Sequence, residues 1–386
     1  MNRYQDLSHA PNLSFWELQT FFTNVDFVVL GGGIVGLNAA LHLKTSVPKA
    51  KVLVLERGIL PYGASTKNAG FACFGSASEI MADIQLVGEE VALKTIGMRM
   101  KGLHYLRNLL GDEAMDYQGC GGYELFFDSE TFEQYHSQLV YLNRLYHSNF
   151  GLVKTWRDAS EEIHSYKFNQ VNGMLLQTEE GSIDTGKMML SLYQRCIQAG
   201  VLVLQQVHVN SMSESTSGID IHVNEGFCFH TRKMLIATNG FAKTLLPELQ
   251  VQPARAQVLI TKPIDKLPFE GTFHFDEGYY YFRNVGKRVL FGGGRNLDFE
   301  TETSTQFQLN TRIQDQLKRY LSEVILPEYS FEIEHQWTGI MGMGENKMPL
   351  IKSIGNHGSC AVKMGGMGVA IGSIAGVEAA QILLEC

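Results

Sequence analysis

Three glycines and one carboxylate are spaced as in a binding site for a nucleotide pyrophosphate. Gly31, Gly33 and Gly36 form the pattern G-x-G-x-x-G, and Glu56 follows twenty residues after the last of them. In that pattern the first glycine makes a tight turn, the second lets a pyrophosphate approach the backbone, and the third lets a helix pack closely on a strand. The carboxylate accepts hydrogen bonds from ribose hydroxyl groups and repels a 2′-phosphate, so NADP is disfavoured.

The elements around these glycines are those that such a site requires. A short β-branched run predicts a strand at 25–30, helical spacing of apolar residues follows from Ile34, and a second buried strand is predicted at 51–55. The N–H groups of Ile34 and Val35 at the helix start would face the phosphates with the positive end of the helix dipole. A strand-to-helix turn without a ligand is the alternative, and the pattern alone does not separate NAD from FAD.

Composition and charge narrow the class of protein. The chain has 386 residues, of which 45% are hydrophobic and 19% charged, and its net charge is −8. These values predict a soluble globular protein of about two domains, large enough to enclose a ligand. No stretch is basic enough to neutralise a nucleic-acid backbone, so we do not expect nucleic acid as the main partner.

Cysteine usage and apolar stretches indicate a compartment. Six cysteines lie far apart and none forms a C-x-x-C pair, which predicts reduced thiols in a cytoplasmic protein. The first residues lack the continuous apolar core of a signal peptide or anchor. The segment 365–384 is long enough to span a bilayer, but its glycines, Ser373 and Glu378 favour a buried helix, so no integral membrane segment is predicted.

Later segments predict two interleaved domains. A capped helix is expected within 181–200, a hairpin at 218–223 and 226–230, and a buried strand at 234–240 that resumes the first sheet. The predicted division is an N-terminal extension at 1–24, a nucleotide-binding domain from 25–80, 168–245 and 338–386, and a substrate domain from 81–167 and 246–337.

A loop rich in small and hydroxyl residues follows Glu56. Its sequence, PYGASTKNAGFACFGS at 61–76, would expose N–H groups able to surround a phosphate and a flavin ring. Together with GSIDTGKMM, MLIATNG, GYYYFRNVGKRVLFGGG and GGMGVAIGS in this order, the chain resembles the D-amino-acid oxidase and glycine oxidase superfamily of FAD-dependent amine oxidoreductases. The similarity extends over nearly the whole chain from Val25, and some segments most resemble gamma-glutamylputrescine oxidase-like proteins.

The resemblance implies a fold and a set of FAD-binding residues. The fold would be α/β, with a discontinuous Rossmann-like FAD-binding domain of the glutathione-reductase type and an α+β substrate domain whose sheet is mostly antiparallel. The residues implied to bind FAD are Gly31, Gly33, Ile34, Val35 and Gly36; Glu56 and Arg57; Gly63, Ala64, Ser65, Thr66, Asn68, Ala69 and Gly70; Val209, Ala237, Asn239 and Gly240; and Gly365, Gly366, Met367, Gly368 and Val369.

The last of these groups has a physical reason of its own. The glycines at 365, 366 and 368 open an apolar helix, whose N-terminus would stabilise the negative charge of a reduced flavin. The alternative is a glycine-rich helix start that serves packing alone.

An aromatic strand supplies the candidate catalytic residues. GYYYFR at 278–283 predicts a strand with Tyr279, Tyr281 and Arg283 on one face. That face would line a pocket in which desolvation lowers the pKa of an amine and a tyrosine hydroxyl orients its nitrogen. The alternative is an aromatic strand that belongs to the core, and the sequence does not tell which tyrosine faces inward.

The sequence departs from the family pattern at several positions. Met341 stands near the place where related amino-acid oxidases often have an arginine for the substrate carboxylate, after Trp337-Thr338-Gly339. Leu290 stands where some sarcosine oxidases have a lysine above the flavin. Covalent flavin attachment in the family uses cysteine or histidine at places where this chain has Lys67 and 341–347, so we expect FAD to be bound without a covalent link.

The predicted function is that of an FAD-dependent oxidoreductase. It would move a hydride from the carbon beside an amine nitrogen to flavin N5 and release an imine that water hydrolyses. The partner would be a small-molecule amine or amino-acid-like substrate with a longer, polar or remote-acid tail, held by Arg283 if that side chain points inward. No metal is predicted because His104, His136 and His147 lack a second histidine at helical spacing.

Two alternatives and two open questions accompany this prediction. The alternatives are an NAD-dependent dehydrogenase and an FAD-binding protein without turnover. The electron acceptor and the oligomeric state are open.

Overall fold

The computed structural model describes residues 12–224 and 226–385, so residues 1–11 of the predicted N-terminal extension lie outside the described residues. The strands, in chain order, are β1 (Val25–Leu30), β2 (Val52–Leu55), β3 (Phe71–Ala72), β4 (Gly122–Phe126), β5 (Trp156–Asp158), β6 (Gly173–Gln177), β7 (Gly181–Ser182), β8 (Leu202–Leu204), β9 (Val209–Ser215), β10 (Gly218–Val223), β11 (Phe227–Ile236), β12 (Gln252–Thr261), β13 (Thr272–Phe275), β14 (Tyr280–Val285), β15 (Arg288–Gly293), β16 (Ile333–Met343), β17 (Leu350–Ile354) and β18 (Gly358–Val362). The α-helices are α1 (Phe15–Glu17), α2 (Ile34–Ser46), α3 (Ala77–Val87), α4 (Glu89–Leu110), α5 (Asp112–Met115), α6 (Ser129–His136), α7 (Leu139–Phe150), α8 (Ile163–Tyr166), α9 (Thr185–Gln198), α10 (Phe299–Glu302), α11 (Thr311–Tyr320) and α12 (Gly368–Glu385).

The first sheet is built around β1, which lies between β2 and β11 and parallel to both. The strand order is β17-β18-β11-β1-β2-β8, and β9 and β10 continue from β11 as an antiparallel hairpin. Leu30 is in register with Leu55 and Ile236, so the three central strands end together. The strand predicted at 234–240 does resume the first sheet, but it ends at Ile236 and is continuous with the segment predicted at 226–230, so that both form β11. The edge where these strands end is where α/β sheets bind ligands.

The second sheet has the order β16-β12-β15-β14-β13-β4-β6-β5 and is antiparallel except for the pair of β13 and β4. This agrees with the mostly antiparallel sheet that the resemblance implies.

The strands of the second sheet disagree with two of the predicted domain boundaries. β6 belongs to this sheet because it pairs with β4 and β5, although 168–245 had been assigned to the nucleotide-binding domain. β16 runs without a break through the expected boundary at 338, because it pairs with β12 along nearly its whole length.

Helix α12 is a core helix that packs against α2 and α4. A Cβ atom on Gly376 would collide with the backbone oxygen of Val35, so this glycine lets α12 and α2 cross closely. Within the described residues α12 alone has the length and composition to cross a membrane, but most of it is buried inside the protein. The structure therefore agrees with the buried helix that the sequence predicted.

The two faces of the second sheet differ in what covers them. Phe273 and Phe282 stack with ring centroids 4.8 Å apart in an aromatic core. Ile313 and Leu317 of α11 close this core from outside. Side chains alternate along each strand, so the neighbours of these phenylalanines point to the opposite face. That face turns toward the first sheet.

A buried ion pair holds the segment between β15 and α11 on the second sheet. The Arg255 guanidinium on β12 donates hydrogen bonds to both carboxylate oxygens of Glu302, at 3.0 and 2.7 Å. It also donates to the backbone oxygens of Thr301 and Gln306. Both charged side chains are almost completely buried, so neither charge has water as a substitute partner.

We expect Arg255→Met to lower the free energy of unfolding by about 3–5 kcal/mol, because Glu302 would keep a buried charge without its partner. Lys262→Met is the matched control: it removes the exposed ion pair with Glu332, which contributes about 0–1 kcal/mol. Thermal denaturation followed by circular dichroism measures both. Equal melting temperatures for the two variants would contradict the role given to the buried pair.

Candidate active site

A cavity of about 520 Å³ lies at the carboxyl ends of β1, β2 and β11, between the first sheet and the second. Most residues singled out in the sequence line it. They are Gly31, Gly33, Ile34, Val35, Glu56, Arg57, Gly63, Ala64, Ser65, Asn68, Ala69, Val209, Ala237, Asn239, Tyr279, Tyr281, Gly365, Gly366, Met367, Gly368 and Val369. Those outside its wall are Gly36, Thr66, Gly70, Gly240 and Arg283.

The first glycine turn has no room for side chains. Gly31 has φ +106°, and a Cβ atom there would lie 2.8 Å from the backbone oxygen of Ala237. A Cβ atom on Gly33 would lie 2.6 Å from Oγ of Ser65. Gly36 lies behind the turn, where a Cβ atom would collide with the backbone oxygen of Gly31 and push α2 away from β1.

The Glu56 carboxylate orders the turn and the loop that follows β2. Its Oε2 accepts a hydrogen bond from the N–H of Gly32 at 2.8 Å. Its Oε1 accepts hydrogen bonds from the N–H groups of Gly58 and Tyr62 at 2.8 and 3.1 Å. A carboxylate has about four lone-pair positions, so one is left for a ribose hydroxyl group.

The 63–70 loop is fixed against the start of α2. Oγ of Ser65 accepts a hydrogen bond from the N–H of Ile34 at 3.0 Å. The Asn68 amide donates to the backbone oxygen of Ser65 and accepts from the N–H of Gly70, both at 2.9 Å. The Thr66 hydroxyl donates to the backbone oxygen of Pro61, which explains why it lies outside the cavity wall.

Two cations in the wall rest on aromatic rings. The Arg57 guanidinium lies 4.2 Å from the ring centroid of Phe241 and 4.6 Å from that of Tyr62. Nζ of Lys67 lies 5.3 Å from the ring centroid of Phe307. Burial lowers the pKa of Lys67, while Glu56 opposes this shift. Both side chains add positive charge to the part of the wall that contains the glycine turn.

The glycine-rich turn before α12 opens toward the same cavity. Gly365 and Gly366 have φ +59° and +83°, and α12 begins at Gly368. Oδ1 of Asn239 accepts hydrogen bonds from the N–H groups of Lys363 and Met364 at 3.0 and 3.2 Å. The Asn239 side chain therefore fixes this turn, and the N-terminus of an 18-residue helix points at the cavity.

Four residues that lie side by side on neighbouring strands of the second sheet form a row on the side of the cavity. Strand register places Val258 beside Gly292, Gly292 beside Tyr281, and Tyr281 beside His274. A Cβ atom on Gly292 would lie 2.6 Å from the Tyr281 ring, so this glycine makes room for the tyrosine. Burial raises the pKa of Tyr281 to about 12, so its hydroxyl keeps its proton near neutral pH.

The structure shows the orientation of the aromatic strand that the sequence left open. Tyr279 and Tyr281 both line the cavity, and Tyr280 and Phe282 belong to the aromatic core. The alternation agrees with the predicted strand, although β14 begins at Tyr280 because Gly278 is in the left-handed region with φ +79°.

Arg283 was expected to bind a substrate carboxylate only if it points inward, and the structure does not meet this condition, because Arg283 lies outside the cavity wall. Its buried guanidinium donates to the backbone oxygen of Ala69 and to that of Ile183, both at 2.8 Å. A Cβ atom on Gly70 would lie 2.8 Å from Nη2 of this arginine, so the 63–70 loop covers it. Arg283 is thus a positioning residue that ties β14 to the cofactor loop.

Sequence reasoning missed Arg295, which follows the third glycine of LFGGG. Arg295 lines the cavity, and its guanidinium lies 4.7 Å from the ring centroid of Phe299. Among the described residues no carboxylate forms an ion pair with it. Burial lowers its pKa, while Tyr279 and Glu302 oppose this shift. The signal that could have found it is an arginine directly after a glycine-rich strand end.

A second missed feature is an acidic and basic cluster in the wall. Nζ of Lys347 lies 3.0 Å from Oε1 of Glu79 and 3.1 Å from Oδ1 of Asp83, both on α3. Burial opposes the charge of Lys347, but the two carboxylates outweigh burial and raise its pKa. Within the described residues no group of three or more His, Cys, Asp or Glu side chains could hold a metal ion.

Comparison with known proteins identifies relatives along nearly the full chain. The probable oxidoreductase OrdL of Haemophilus influenzae is 23% identical over an alignment of 400 positions, which covers 99% of this chain and 86% of the relative. The crystal structure of L-proline dehydrogenase from P. horikoshii superposes with a TM-score of 0.75 at 17% identity and covers 94% of both chains. Glycine oxidase from Geobacillus kaustophilus also gives a TM-score of 0.75, at 16% identity, covering 94% of this chain and 95% of that one.

These structural similarities show that the chain shares the fold of these two proteins. Residues 26–382 match the family described as DAO, FAD dependent oxidoreductase. The match covers the glycine turn, the second sheet and the turn before α12, and on this basis the chain belongs to the DAO family of FAD-dependent oxidoreductases.

Proposed function

We propose that this protein oxidises the C–N bond of an amine whose tail carries an acidic group. The observation that carries the proposal is the position of Arg295, which lines the cavity near Tyr279 without an ion-pair partner among the described residues. The imine product would be hydrolysed by water to a carbonyl compound and an amine or ammonia.

The wall fits the cofactor of the family. A side chain in place of Gly33 would fill the space beside the glycine turn. Glu56 keeps a lone-pair position for a ribose hydroxyl group. The N-terminus of α12 faces the cavity. When bound, FAD supplies the acceptor for the hydride that leaves the carbon beside the nitrogen. The start of α12 would stabilise the negative charge that this transfer creates.

The second sheet would bind and desolvate the substrate. Phe71, Tyr279 and Tyr281 give the cavity aromatic walls, and Tyr281 meets Phe71 edge to face with centroids 5.6 Å apart. An amine transfers hydride only after its nitrogen has lost the ammonium proton, and an apolar wall lowers the amine pKa. The Tyr281 hydroxyl can accept a hydrogen bond from the amine N–H and so orient the nitrogen.

Arg295 would select the tail of the substrate. Its guanidinium is half-buried against Phe299, and Glu302 offsets only part of the lost hydration, since burial still lowers the pKa of Arg295. A ligand carboxylate would restore that interaction through two charge-assisted hydrogen bonds. Met341 is on β16, its Sδ lies 3.7 Å from the Cβ position of Gly366 in the turn before α12, and it offers no charge to an α-carboxylate.

The alternatives are weaker on specific grounds. An NAD-dependent dehydrogenase would not need the glycine turn before α12, and the family is FAD-dependent. An FAD-binding protein without turnover would not need a half-buried arginine in its cavity. A cytoplasmic location is part of the proposal, supported by the five free thiols among the described residues.

We expect Gly33→Val to abolish FAD retention, because its side chain would collide with Ser65 and occupy the space of the pyrophosphate. The measurement is the ratio of flavin to protein absorbance after purification, with circular dichroism to verify folding. The control is Gly186→Ala in the exposed first turn of α9. A folded Gly33→Val protein that purified fully yellow would show that this turn does not bind the cofactor.

The flavin should come free when the protein is denatured by acid or heat, because Lys67 and 341–347 offer neither cysteine nor histidine for a covalent link. Filtration after denaturation should place the flavin absorbance in the filtrate. Flavin fluorescence that stays with the protein band in a denaturing gel would contradict non-covalent binding.

The substrate proposal is tested by anaerobic flavin reduction with gamma-glutamylputrescine, putrescine, glycine, sarcosine, D-alanine and D-proline. We expect the acid-tailed amine to be preferred and Arg295→Gln to weaken its binding about 10²- to 10³-fold, since one partner of a charge pair is lost. The binding of putrescine, which has no carboxylate, should change little in that variant. Arg312→Gln, an exposed arginine on α11, is the control.

Fast reduction by the small amino acids with a strict need for the α-carboxylate would contradict the role of Met341. If Arg295→Gln weakened the binding of gamma-glutamylputrescine and of putrescine equally, Arg295 would not recognise the tail.

A further inference from the structure

We propose that His274, backed by Glu180, accepts the proton that the substrate amine loses before hydride transfer. This inference rests on the proposed function, because it assigns the base for the same reaction.

His274 lies in the cavity wall between the two sheets. It is the third residue of β13, it is 4% exposed, and strand register places it directly beside Tyr281. Its ring lies 6.0 Å from that of Phe71, which also lines the cavity. A base at this position is next to the tyrosine that would orient the amine nitrogen.

The far side of the ring faces a fixed carboxyl group. Nε2 of His274 lies 3.8 Å from Oε2 of Glu180, which is longer than a hydrogen bond, and neither atom has a hydrogen-bond partner among the described residues. The other oxygen, Oε1 of Glu180, accepts hydrogen bonds from the N–H groups of Phe74 and Gly75. The carboxyl group is therefore held behind the ring, and Nδ1 is the ring nitrogen left for the cavity.

The packing around Glu180 preserves this arrangement. A Cβ atom on Gly122 of β4 would collide with Oε2 of Glu180, so the strand leaves the space that the carboxyl group fills. Glu180 itself is completely buried and lies between β6 and β7. A buried carboxyl with one unpartnered oxygen is costly and needs a reason.

Burial acts on both groups. It raises the pKa of Glu180 to about 8, and it lowers the pKa of His274, an effect that Glu79 opposes. The other titratable or charged groups that surround the pair come from the neighbouring strands, helices and loops. They are Cys73, Glu79, Arg99, Glu124, Tyr146, Tyr281 and Lys347.

The proton transfer balances as follows. The substrate enters as an ammonium ion, one N–H bond breaks, and its proton forms a bond with the Nδ1 lone pair of His274. Nε2–H then faces the Glu180 carboxylate, which stabilises the imidazolium ion. The nitrogen lone pair that is freed supports loss of hydride from the neighbouring carbon to the cofactor. The proton on His274 returns to solvent after product release.

This dyad has a pH signature. Below the pKa of Glu180 the pair already holds a proton, so accepting another would place two protons on buried groups. The rate constant of flavin reduction at saturating substrate should therefore rise about tenfold per pH unit up to about pH 8 and level off above it. A saturating concentration is required because it reports ionisation in the complex.

The experiment is anaerobic stopped-flow reduction of the FAD-loaded protein by gamma-glutamylputrescine from about pH 6 to about pH 10. His274→Gln should lower the limiting rate about 10²- to 10⁴-fold at pH 8, with the dissociation constant for substrate nearly unchanged. Glu180→Gln should move the inflection downward by at least about one pH unit, toward the ordinary pKa of an imidazole. The matched control is His104→Gln, an exposed histidine on α4, which should leave the rate and the profile unchanged.

Several outcomes would overturn the assignment. A limiting rate that does not depend on pH in the unaltered protein contradicts it without any variant. So does a His274→Gln protein that keeps its rate within about threefold, or a Glu180→Gln protein whose inflection stays at the original pH. If no amine reduces the flavin of the unaltered protein, the proposed function itself has failed, whereas reduction with an unchanged profile refutes the dyad alone.

Discussion

The contact between the Arg283 guanidinium and two backbone oxygens ties the second sheet to the 63–70 loop and to the segment before α9. Ala69 contributes its oxygen from within the 63–70 loop, and Ile183 contributes its oxygen from the segment between β7 and α9. Because the guanidinium lies on β14, its hydrogen bonds set the distance between the 63–70 loop and the strand that carries Tyr281. A cavity between two sheets keeps its shape only if a rigid contact holds both walls, and this buried group provides it.

The charges in the cavity wall fall into two kinds. Lys347 forms ion pairs with Glu79 and Asp83, which hold α3 to the loop before β17. Because its charge is neutralised, Lys347 adds little to the positive electrostatic potential in the cavity. Arg57, Lys67 and Arg295 rest on aromatic rings. Cations over ring faces keep their charge available to a ligand, whereas an ion pair cancels it. A wall built in this way favours an anionic cofactor and an anionic tail.

The sequence predicted the parts of the structure that follow from local pattern. The unit of β1, α2 and β2 was predicted because its glycines, its helical spacing and its carboxylate lie within about thirty residues of one another. The alternation at Tyr279 and Tyr281 was predicted because strands have a period of two. Most residues expected to bind the cofactor do line the cavity, whereas Gly36, Thr66, Gly70 and Gly240 lie outside its wall.

The sequence could not predict which side chains long-range packing would use. Arg283 shares the face of Tyr281, but the 63–70 loop lies over it, and no local pattern shows that coverage. Arg295 was missed because it lies in a short helical turn whose direction depends on the Arg255 and Glu302 pair. His274 and Glu180 are 94 residues apart in the sequence and come together only through the pairing of β13, β4 and β6.

Several buried polar atoms that lack a hydrogen-bond partner within the described part of the chain lie near His274, the candidate base. Buried side-chain atoms without a hydrogen-bond partner among the described residues include Nε and Nη2 of Arg99, Oε2 of Glu180 and Nε2 of His274. Each such atom costs about 1–3 kcal/mol when it is left unsatisfied. Packing alone would favour apolar residues at these positions, so their clustering beside His274 supports the proposed proton transfer. The inner face of the second sheet carries His274 and Tyr281, to which we assign roles in the proposed reaction, and the aromatic core on its outer face packs behind them.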